Sequence, residues 1–405
     1  MSTSTPNEAH TPLGHHEERF WPADRTAPTG GQRGGVYQTF IPDPIAGRQF
    51  AIAGEAVVAI AEATKALGHL DDTRPQLTSL AALARNLLRS ESAASSRIEG
   101  VLISQKRLAR AAYARAGNRR GDNRAAEVLG NVEAMERAIE LGAAGEPFTV
   151  SDLQDIHRTL LRFTEDRHFA GVIRTAQSWI GGNDHHPIGA TYVAPPHEQV
   201  PGLLEDLCSF IARTDIAAVA QAAIAHAQFE NIHPFVDGNG RTGRALIYTI
   251  LRRRREISNY VPPISLVLAS QPKIYIGGLG AYSQGNVSSW CERFAQATTR
   301  AATGAEQLAQ AIEQRQTEWL RRLGEPRRDA AVRQLVSVLP AQPVIDVPTA
   351  QQLTGKSHVA VGNAIAQLEE GGILQKLSER KWGRVWECGE LLTLVESFEK
   401  AISTP

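Results

Sequence analysis

Two helix-forming runs in the middle of the chain are joined by a loop that contains Pro234, Gly238 and Gly240. The runs cover residues 217–231 and 241–254. Pro234 disfavours helical geometry at the residue before it, so the first helix is expected to end there. Gly238-Asn239-Gly240 permits backbone angles that other residues avoid. The sequence therefore predicts a helix, a loop and a second helix whose N-terminus opens onto the loop.

Amphipathic helical spacing recurs along most of the chain, and strand signals are few. Ser151 is predicted to cap one of these helices, because its hydroxyl can accept hydrogen bonds from first-turn N–H groups. Residues 172–193 instead carry β-branched and aromatic residues around a glycine-rich connection. The fold class is therefore predicted to be mainly α with one hairpin. The further predicted helices cover residues 50–67, 77–92, 124–143, 151–162, 198–212 and 288–320.

The chain ends in a pattern of its own. A charged linker over 321–328 precedes predicted helices at 329–339, 349–353 and 358–370, and a hairpin at 373–388. Three helices followed by a hairpin are typical of a winged helix. This segment has nearly equal numbers of basic and acidic residues, so the basic footprint expected of a DNA-binding domain is missing. We favour a protein-binding or regulatory use and keep DNA binding as the alternative.

Composition excludes several classes of protein. Lys and Arg together number 43, as do Asp and Glu, so no overall charge favours nucleic acid or a membrane surface. No apolar run reaches the roughly 18 residues that a membrane span needs. Cys208, Cys291 and Cys388 lie far apart, which fits a reducing cytoplasm better than a disulfide framework. Residues 1–35 are polar, have no secretory-signal pattern and are expected to be mostly disordered.

The central loop combines groups suited to chemistry at a phosphate. A helix N-terminus is a natural anion site, and Arg241 and Arg244 lie on one face of the second helix beside it. Asp237 supplies a carboxylate for Mg²⁺ bridging a polyphosphate. His233 has the one side chain in this segment whose unperturbed pKa lies near neutrality, which suits a general base. Taken singly, each residue also has an ordinary structural use; the combination points to phosphate transfer.

The segment from His233 to Arg244 resembles, without mismatch, the signature of the Fic family, His-Pro-Phe-x-Asp/Glu-Gly-Asn-Gly-Arg-x-x-Arg. The resemblance implies a helical core with a flap and a protein adenylyltransferase activity that moves AMP from ATP to a protein hydroxyl. It makes His233 the base, Asp237 the Mg²⁺ ligand and Phe235 an inward-packed residue. The remaining positions would bind the nucleotide: Gly238, Asn239, Gly240, Arg241 and Arg244.

A second segment resembles the family's inhibitory motif, Ser/Thr-x-x-x-Glu-Gly/Asn, through Ser95, Glu99 and Gly100. Without that resemblance, Gly100 would be read as the glycine that ends a helix and Glu99 as a solvated side chain. With it, Glu99 is expected to pair with Arg244 where the γ-phosphate must bind. A reverse activity that removes AMP from a modified target is also implied.

With the family in view, the expected organisation is a disordered segment 1–35, an N-terminal helical region 36–120, a catalytic domain 121–320 and a winged helix 327–405. The hairpin over residues 172–193, here called the flap hairpin, resembles the family's flap and would dock the target protein by β-augmentation. Tyr275 stands where the family often has a tyrosine pair beside adenine, so UTP or CDP-choline stays open as the donor. A winged-helix regulator with a nucleotide-sensing Fic domain is the competing function.

His185 and His186 are read as an exposed polar pair rather than a metal site. The oligomeric state, including a homodimer, is left open.

Overall fold

A computed structural model describes residues 11–26, 28–73, 77, 80–117, 122–377 and 383–404. Helices dominate, so the prediction of a mainly α fold is confirmed. In the described ranges, no helix combines the length and apolarity needed to cross a bilayer. The helices are α1 (Glu55–Asp72), α2 (Leu80–Ile98), α3 (Gln105–Ala116), α4 (Asn123–Ala143), α5 (Val150–Leu161), α6 (Val200–Ile211), α7 (Ala218–Ile232), α8 (Asn239–Arg253), α9 (Ile264–Ser270), α10 (Pro272–Ser283), α11 (Val287–Arg322), α12 (Ala331–Val338), α13 (Val347–Thr354), α14 (His358–Glu370) and α15 (Gly389–Ser403).

Within the described ranges, the strands form three small antiparallel sheets. One sheet pairs β1 with β2, a second pairs β3 with β4, and the third has the order β5-β7-β6. The strands are β1 (Gly14–Trp21), β2 (Gly35–Pro42), β3 (Trp179–Ile180), β4 (Tyr192–Val193), β5 (Val344–Ile345), β6 (Gln375–Lys376) and β7 (Trp386–Glu387).

The chain divides into two compact units. The first contains residues up to 62, 136–254 and 273–296, and the second contains 63–135, 255–272 and 297–405. These units interleave along the chain, and the consecutive domains 36–120, 121–320 and 327–405 stay predictions.

Helix α7 lies at the centre of the first unit. Every one of its residues except Glu230 is buried, because most of the helix's own side chains are small or apolar and they cover more than one face. Gly243 lets α8 approach it closely, since a Cβ there would come within 2.8 Å of the Phe229 ring. The indole of Trp290 donates a hydrogen bond to the Ala223 carbonyl, at 2.8 Å. This close packing fixes the directions in which the chain leaves α7 and enters α8.

Two expectations about the first unit are corrected. Residues 14–21, placed in a mostly disordered segment, form a strand that pairs with 35–42 along its whole length; residues 1–10 and 27 lie outside the described ranges. The hairpin is stabilised by edge-to-face contacts such as Trp21 with Tyr37. The cap of α5 is Thr149 rather than Ser151, because Thr149 and Asp152 form a reciprocal capping box.

The second unit is built around α2 and the C-terminal helices. The part of α2 from Asn86 to Ser96 is buried. Its Glu91 carboxylate accepts hydrogen bonds from the N–H, at 2.8 Å, and the hydroxyl of Ser265 at the start of α9. Asn86 donates to the Pro340 carbonyl, at 2.6 Å. The serines of α2 are therefore small residues inside a core.

The C-terminal segment has the order helix, strand, helix, helix, strand, strand, with α15 following. The predicted helices there are present, and so is the pairing of β6 with β7 inside 373–388. The sequence pattern missed β5, whose two residues are too few to alternate visibly, and α15, which closes the chain. Residues 378–382, which include Arg380 and Lys381 of the expected wing, lie outside the described residues.

Candidate active site

The loop that joins α7 to α8 starts with an unusual backbone conformation. His233 has φ 50° and ψ 59°, in the left-handed region, while its N–H bonds the Phe229 carbonyl at 2.9 Å. A residue with a side chain occupies this region only when its surroundings hold it there. The left-handed residue ends α7 and turns the chain, and the half-buried imidazole starts the loop.

Phe235 and Asn239 close the loop on itself. The Asn239 side chain accepts from the Phe235 N–H and donates to the Phe235 carbonyl, both at 2.9 Å. Both residues are almost fully buried, at 0% and 3% exposure. Phe235 therefore packs inward as expected. The Asn239 side chain fixes the loop's main chain, so its contribution to a bound phosphate would come from its backbone N–H.

His157 of α5 supports the loop from beneath, and the sequence analysis missed it. Its ring stacks on Phe235 with centroids 3.7 Å apart. Its Nδ1 accepts the Gly171 N–H at 2.9 Å, so Nε2 carries the proton and donates to the Asp237 carbonyl at 2.9 Å. Burial lowers the pKa of His157 to about 4, which keeps this tautomer neutral. A histidine on the apolar face of a predicted helix was the available signal.

Arg174 is the second supporting residue that the sequence analysis missed. It is 3% exposed and lies between Gly171 and β3. Its Nε–H donates to the His233 carbonyl at 2.8 Å, and its backbone N–H donates to the Pro234 carbonyl at 2.9 Å. The left-handed turn at His233 is therefore held from outside the loop.

The other end of the loop forms a positively charged helix start. Gly238, the residue before α8, has φ 78°, and the first-turn N–H groups of α8 have no helical carbonyl to bond. Arg241 and Arg244 are buried, at 3% and 1% exposure. The half-exposed Asp237 carboxylate accepts from Arg241 Nη2 at 2.9 Å. The expected nucleotide-binding and metal-binding residues thus lie together on one loop and one helix turn.

Tyr275, expected beside an adenine ring, lies in the core. It is 5% exposed, and its hydroxyl shares a 2.8 Å hydrogen bond with His226 Nε2 of α7. Burial and the nearby charge of Arg244 lower the pKa of His226 to about 3. The buried His226 imidazole of α7 therefore lies near the Arg244 guanidinium of α8, and Tyr275 is bonded to its other side.

The two buried histidines predict a loss of stability in acid. Both have folded pKa values below the usual 6.5, so the stability they contribute is present above pH 6.5 and is lost as pH falls toward 4 for His157 and toward 3 for His226. Each is expected to lower the free energy of unfolding by about 2 kcal/mol between pH 7 and pH 5. Denaturant titrations of wild type, His157→Gln and His226→Gln at both pH values measure this difference. An equally steep decline in both variants would contradict the assignment.

The flap hairpin is present, although its strands are short. Trp179 and Ile180 pair with Val193 and Tyr192, and Gly181 and Gly182 both have positive φ. His186 is 4% exposed and shares hydrogen bonds with Asn183. The expectation that His185 and His186 are both exposed is therefore wrong for His186. Among the residues that the structure describes, no cluster of three or more His, Cys, Asp or Glu could hold a metal ion.

The expected inhibitory residues belong to the second unit. Ser95 is fully buried in α2, which ends at Ile98, and Glu99 is exposed in the turn that follows. Gly100 has φ 85°, and its N–H bonds the Arg97 carbonyl at 3.0 Å. The glycine therefore ends the helix in the conformation that glycine favours, and Glu99 lies at the tip of that turn.

Two regions of the chain match known protein families. Residues 147–251 match the Fic/DOC family, and residues 57–140 match the Fic/DOC family N-terminal region. A solved Fic family protein from Desulfovibrio desulfuricans G20 is 22% identical, with a TM-score of 0.51, over 84% of this chain and 97% of that one. That likeness supports the fold.

Curated relatives match over a shorter stretch. The protein adenylyltransferase fic-1 of Caenorhabditis elegans is 31% identical over 130 residues, 32% of this chain and 23% of that protein. Protein adenylyltransferase Fic of Culex quinquefasciatus is 32% identical over 152 residues, 38% of this chain and 28% of that protein. The chain thus spans about a quarter of the length of these relatives.

Proposed function

We propose that this chain, which carries a Fic/DOC domain over residues 147–251, is a protein adenylyltransferase that transfers AMP from ATP to a hydroxyl of a target protein. The observation that carries the proposal is the loop from His233 to Arg244. It places one imidazole, one half-exposed carboxylate, a helix N-terminus and two buried guanidiniums within a single helix–loop–helix. The names of the curated relatives supply the nucleotide class.

His233 acts as the general base in this proposal. Its neutral imidazole accepts the proton of the target hydroxyl while that oxygen attacks the α-phosphorus of ATP. The bond from the α-phosphorus to the bridging oxygen of the β-phosphate breaks, and pyrophosphate leaves with the electron pair. The products are the AMP-modified target and pyrophosphate, and the proton on His233 passes to solvent.

The start of α8 holds the phosphates. Backbone N–H groups from Gly238 to Gly240, at the N-terminus of α8, would donate to the phosphate oxygens, and the helix dipole also attracts negative charge there. Arg241 and Arg244 neutralise further phosphate oxygens, with Arg244 assigned to the γ-phosphate.

Asp237 is the proposed Mg²⁺ ligand. Its carboxylate is half-exposed, so one of its oxygens can face a substrate while the other accepts from Arg241. A single protein carboxylate fits Mg²⁺, which in nucleotide sites commonly takes its other ligands from phosphates and water. When bound, the ion would neutralise charge that develops on the leaving pyrophosphate.

The flap hairpin is the proposed docking site for the target. Ile180, the last residue of β3, is 49% exposed, and short antiparallel strands can pair with an added extended segment. An exposed main chain beside the loop would hold the target hydroxyl near His233.

Glu99 is proposed to restrain transfer by pairing with Arg244 in place of the γ-phosphate. A charge-assisted pair of this kind contributes about 1.5–3 kcal/mol, so Glu99→Gly is expected to raise AMP incorporation at least about 10-fold. The test incubates wild type and Glu99→Gly with α-phosphate-labelled ATP and Mg²⁺, followed by mass spectrometry of the labelled protein.

Glu146→Gly, at an exposed position, is the matched control and should label like wild type. Equal labelling by wild type and Glu99→Gly would remove the inhibitory assignment. Labelled UTP, GTP and CDP-choline, run in parallel, decide the donor. Absence of transfer from all four donors, together with salt-dependent retention on DNA, would replace the proposed activity with a nucleotide-sensing regulator.

The C-terminal segment is proposed to be a winged helix with a regulatory role. Its element order and its three-stranded sheet of order β5-β7-β6 support the assignment. Glu369 of α14 pairs with Lys376 at 2.6 Å, which places a carboxylate on the helix that would otherwise read DNA. The proposed compartment is the cytoplasm, because Cys208, Cys291 and Cys388 are buried free thiols.

A further inference from the structure

Arg174 connects four backbone carbonyls from two parts of the first unit. Two of them belong to the end of α7 and the loop: His233, bonded by Nε at 2.8 Å, and Ile232, bonded by Nη2 at 3.4 Å. The other two lie on either side of the paired strands of the flap hairpin: Ala176 before β3, bonded by Nη1 at 2.8 Å, and Pro195 after β4, bonded by Nη2 at 2.6 Å. One rigid guanidinium therefore joins both arms of the flap to the start of the loop.

Tyr192 makes a second connection of the same kind. It lies in β4, and its hydroxyl donates to the Asn231 carbonyl. With Arg174, donors from the flap region thus reach three consecutive carbonyls, those of Asn231, Ile232 and His233. The last carbonyls of a helix have no partners within the helix, so these donors form the C-terminal cap of α7.

The charge of Arg174 suits this place. Burial lowers its pKa to about 10, which still leaves it protonated at neutral pH. A cation at the C-terminal end of a helix is stabilised by the helix dipole. The guanidinium therefore holds the left-handed turn at His233 by hydrogen bonds and by charge at once.

We propose that Arg174 is a positioning residue for the transfer reaction, and that with Tyr192 it couples the flap hairpin to His233. This inference rests on the proposed function. A target segment bound along the flap hairpin and the imidazole that accepts its proton are then held in place by the same guanidinium. The distance from the hydroxyl to the base is set by the guanidinium rather than by the loop alone.

Replacement of Arg174 should affect turnover more than nucleotide binding. In a Glu99→Gly background, Arg174→Lys is expected to lower kcat about 10- to 100-fold, because one ammonium group cannot bond four carbonyls and a displacement near 1 Å costs about that much. KM for ATP should change less than about 3-fold, since the phosphate-binding groups lie on α8. Tyr192→Phe, which removes one of the two connections, should lower kcat about 3- to 10-fold.

Two matched variants separate positioning from general stability. Arg254 also bonds several carbonyls of the first unit, among them Ile216 at 2.9 Å and Thr214 at 3.2 Å, but at the far end of α8. Tyr282 is a buried tyrosine whose hydroxyl contacts Gln228 of α7 at 3.1 Å. Arg254→Lys and Tyr282→Phe should therefore lower the melting temperature as much as their counterparts while leaving kcat within about 2-fold.

Hydrogen–deuterium exchange gives a readout that needs no activity. Arg174→Lys and Tyr192→Phe should each raise exchange in peptides from both the flap hairpin, 172–193, and the loop, 232–238, whereas the control variants should leave both unchanged. If Arg174→Lys does not fold, Tyr192→Phe decides the outcome.

Faster exchange in the flap hairpin alone, or a loss of kcat equal to that of the control variants, overturns the proposed coupling. Absence of AMP transfer by the Glu99→Gly parent, with coupled exchange intact, would instead count against the proposed function.

Discussion

His233→Ala, made in the Glu99→Gly background, is expected to lower AMP transfer by about 10²- to 10⁴-fold, the usual contribution of a positioned general base. The imidazole is the one group of the loop that can accept a proton near neutral pH. Its loss leaves Asp237, Arg241 and Arg244 in place, so binding of ATP should persist. Rates from labelled ATP, together with a nucleotide affinity measured by calorimetry, distinguish loss of the base from loss of the site.

His197→Ala provides the matched control, because His197 is a partly exposed histidine of the first unit outside the loop. It should transfer AMP at the parent rate. Transfer by His233→Ala at a comparable rate would mean that another group accepts the proton, and the mechanism proposed here would be wrong. A large loss of ATP affinity in the same variant would assign His233 to nucleotide binding instead.

The residues proposed to take part in the reaction could be predicted from sequence, because they lie in one short segment with unusual composition. The fold brings His233, Asp237, Arg241 and Arg244 together as that segment suggests. The residues that hold the segment could not be predicted in the same way. His157 bonds a carbonyl 80 positions away and Arg174 one 59 positions away. Neither contact leaves a local pattern, and each side chain by itself is ordinary for its helix or loop.

The N-terminal hairpin failed to appear in the sequence analysis for a related reason. Composition between residues 14 and 42 is polar, and burial does not alternate along the strands: β1 has no fully buried residue, whereas β2 buries the four consecutive residues 39–42. Thr39 donates to the Ala194 carbonyl at 2.6 Å, and Phe40 packs near Tyr192. These strands are therefore ordered by contact with the outgoing arm of the flap hairpin, which a pattern of alternating residues cannot reveal.

Gly238→Val is expected to remove activity by a different route, through the shape of the loop. Gly238 has φ 78°, a conformation that costs a residue with a side chain about 1–2 kcal/mol. A Cβ there would also lie 3.0 Å from a methyl group of Leu160 and 3.3 Å from Nε2 of His157. Because that imidazole holds the Asp237 carbonyl, the clash would move the carboxylate and the first N–H groups of α8 together. AMP transfer should fall by more than about 100-fold.

Gly145→Val separates this effect from backbone strain. Gly145 has φ 79° in the same unit, yet a Cβ there would meet nothing within 4 Å. It should lower the free energy of unfolding by the same 1–2 kcal/mol, approximately, and leave the transfer rate unchanged. Gly238→Val should lose about 1–3 kcal/mol more from overpacking. Equal effects of the two variants on rate and stability would show that strain alone matters. A selective loss at Gly238 would show that the supporting histidine and the phosphate-binding loop work as one packed body.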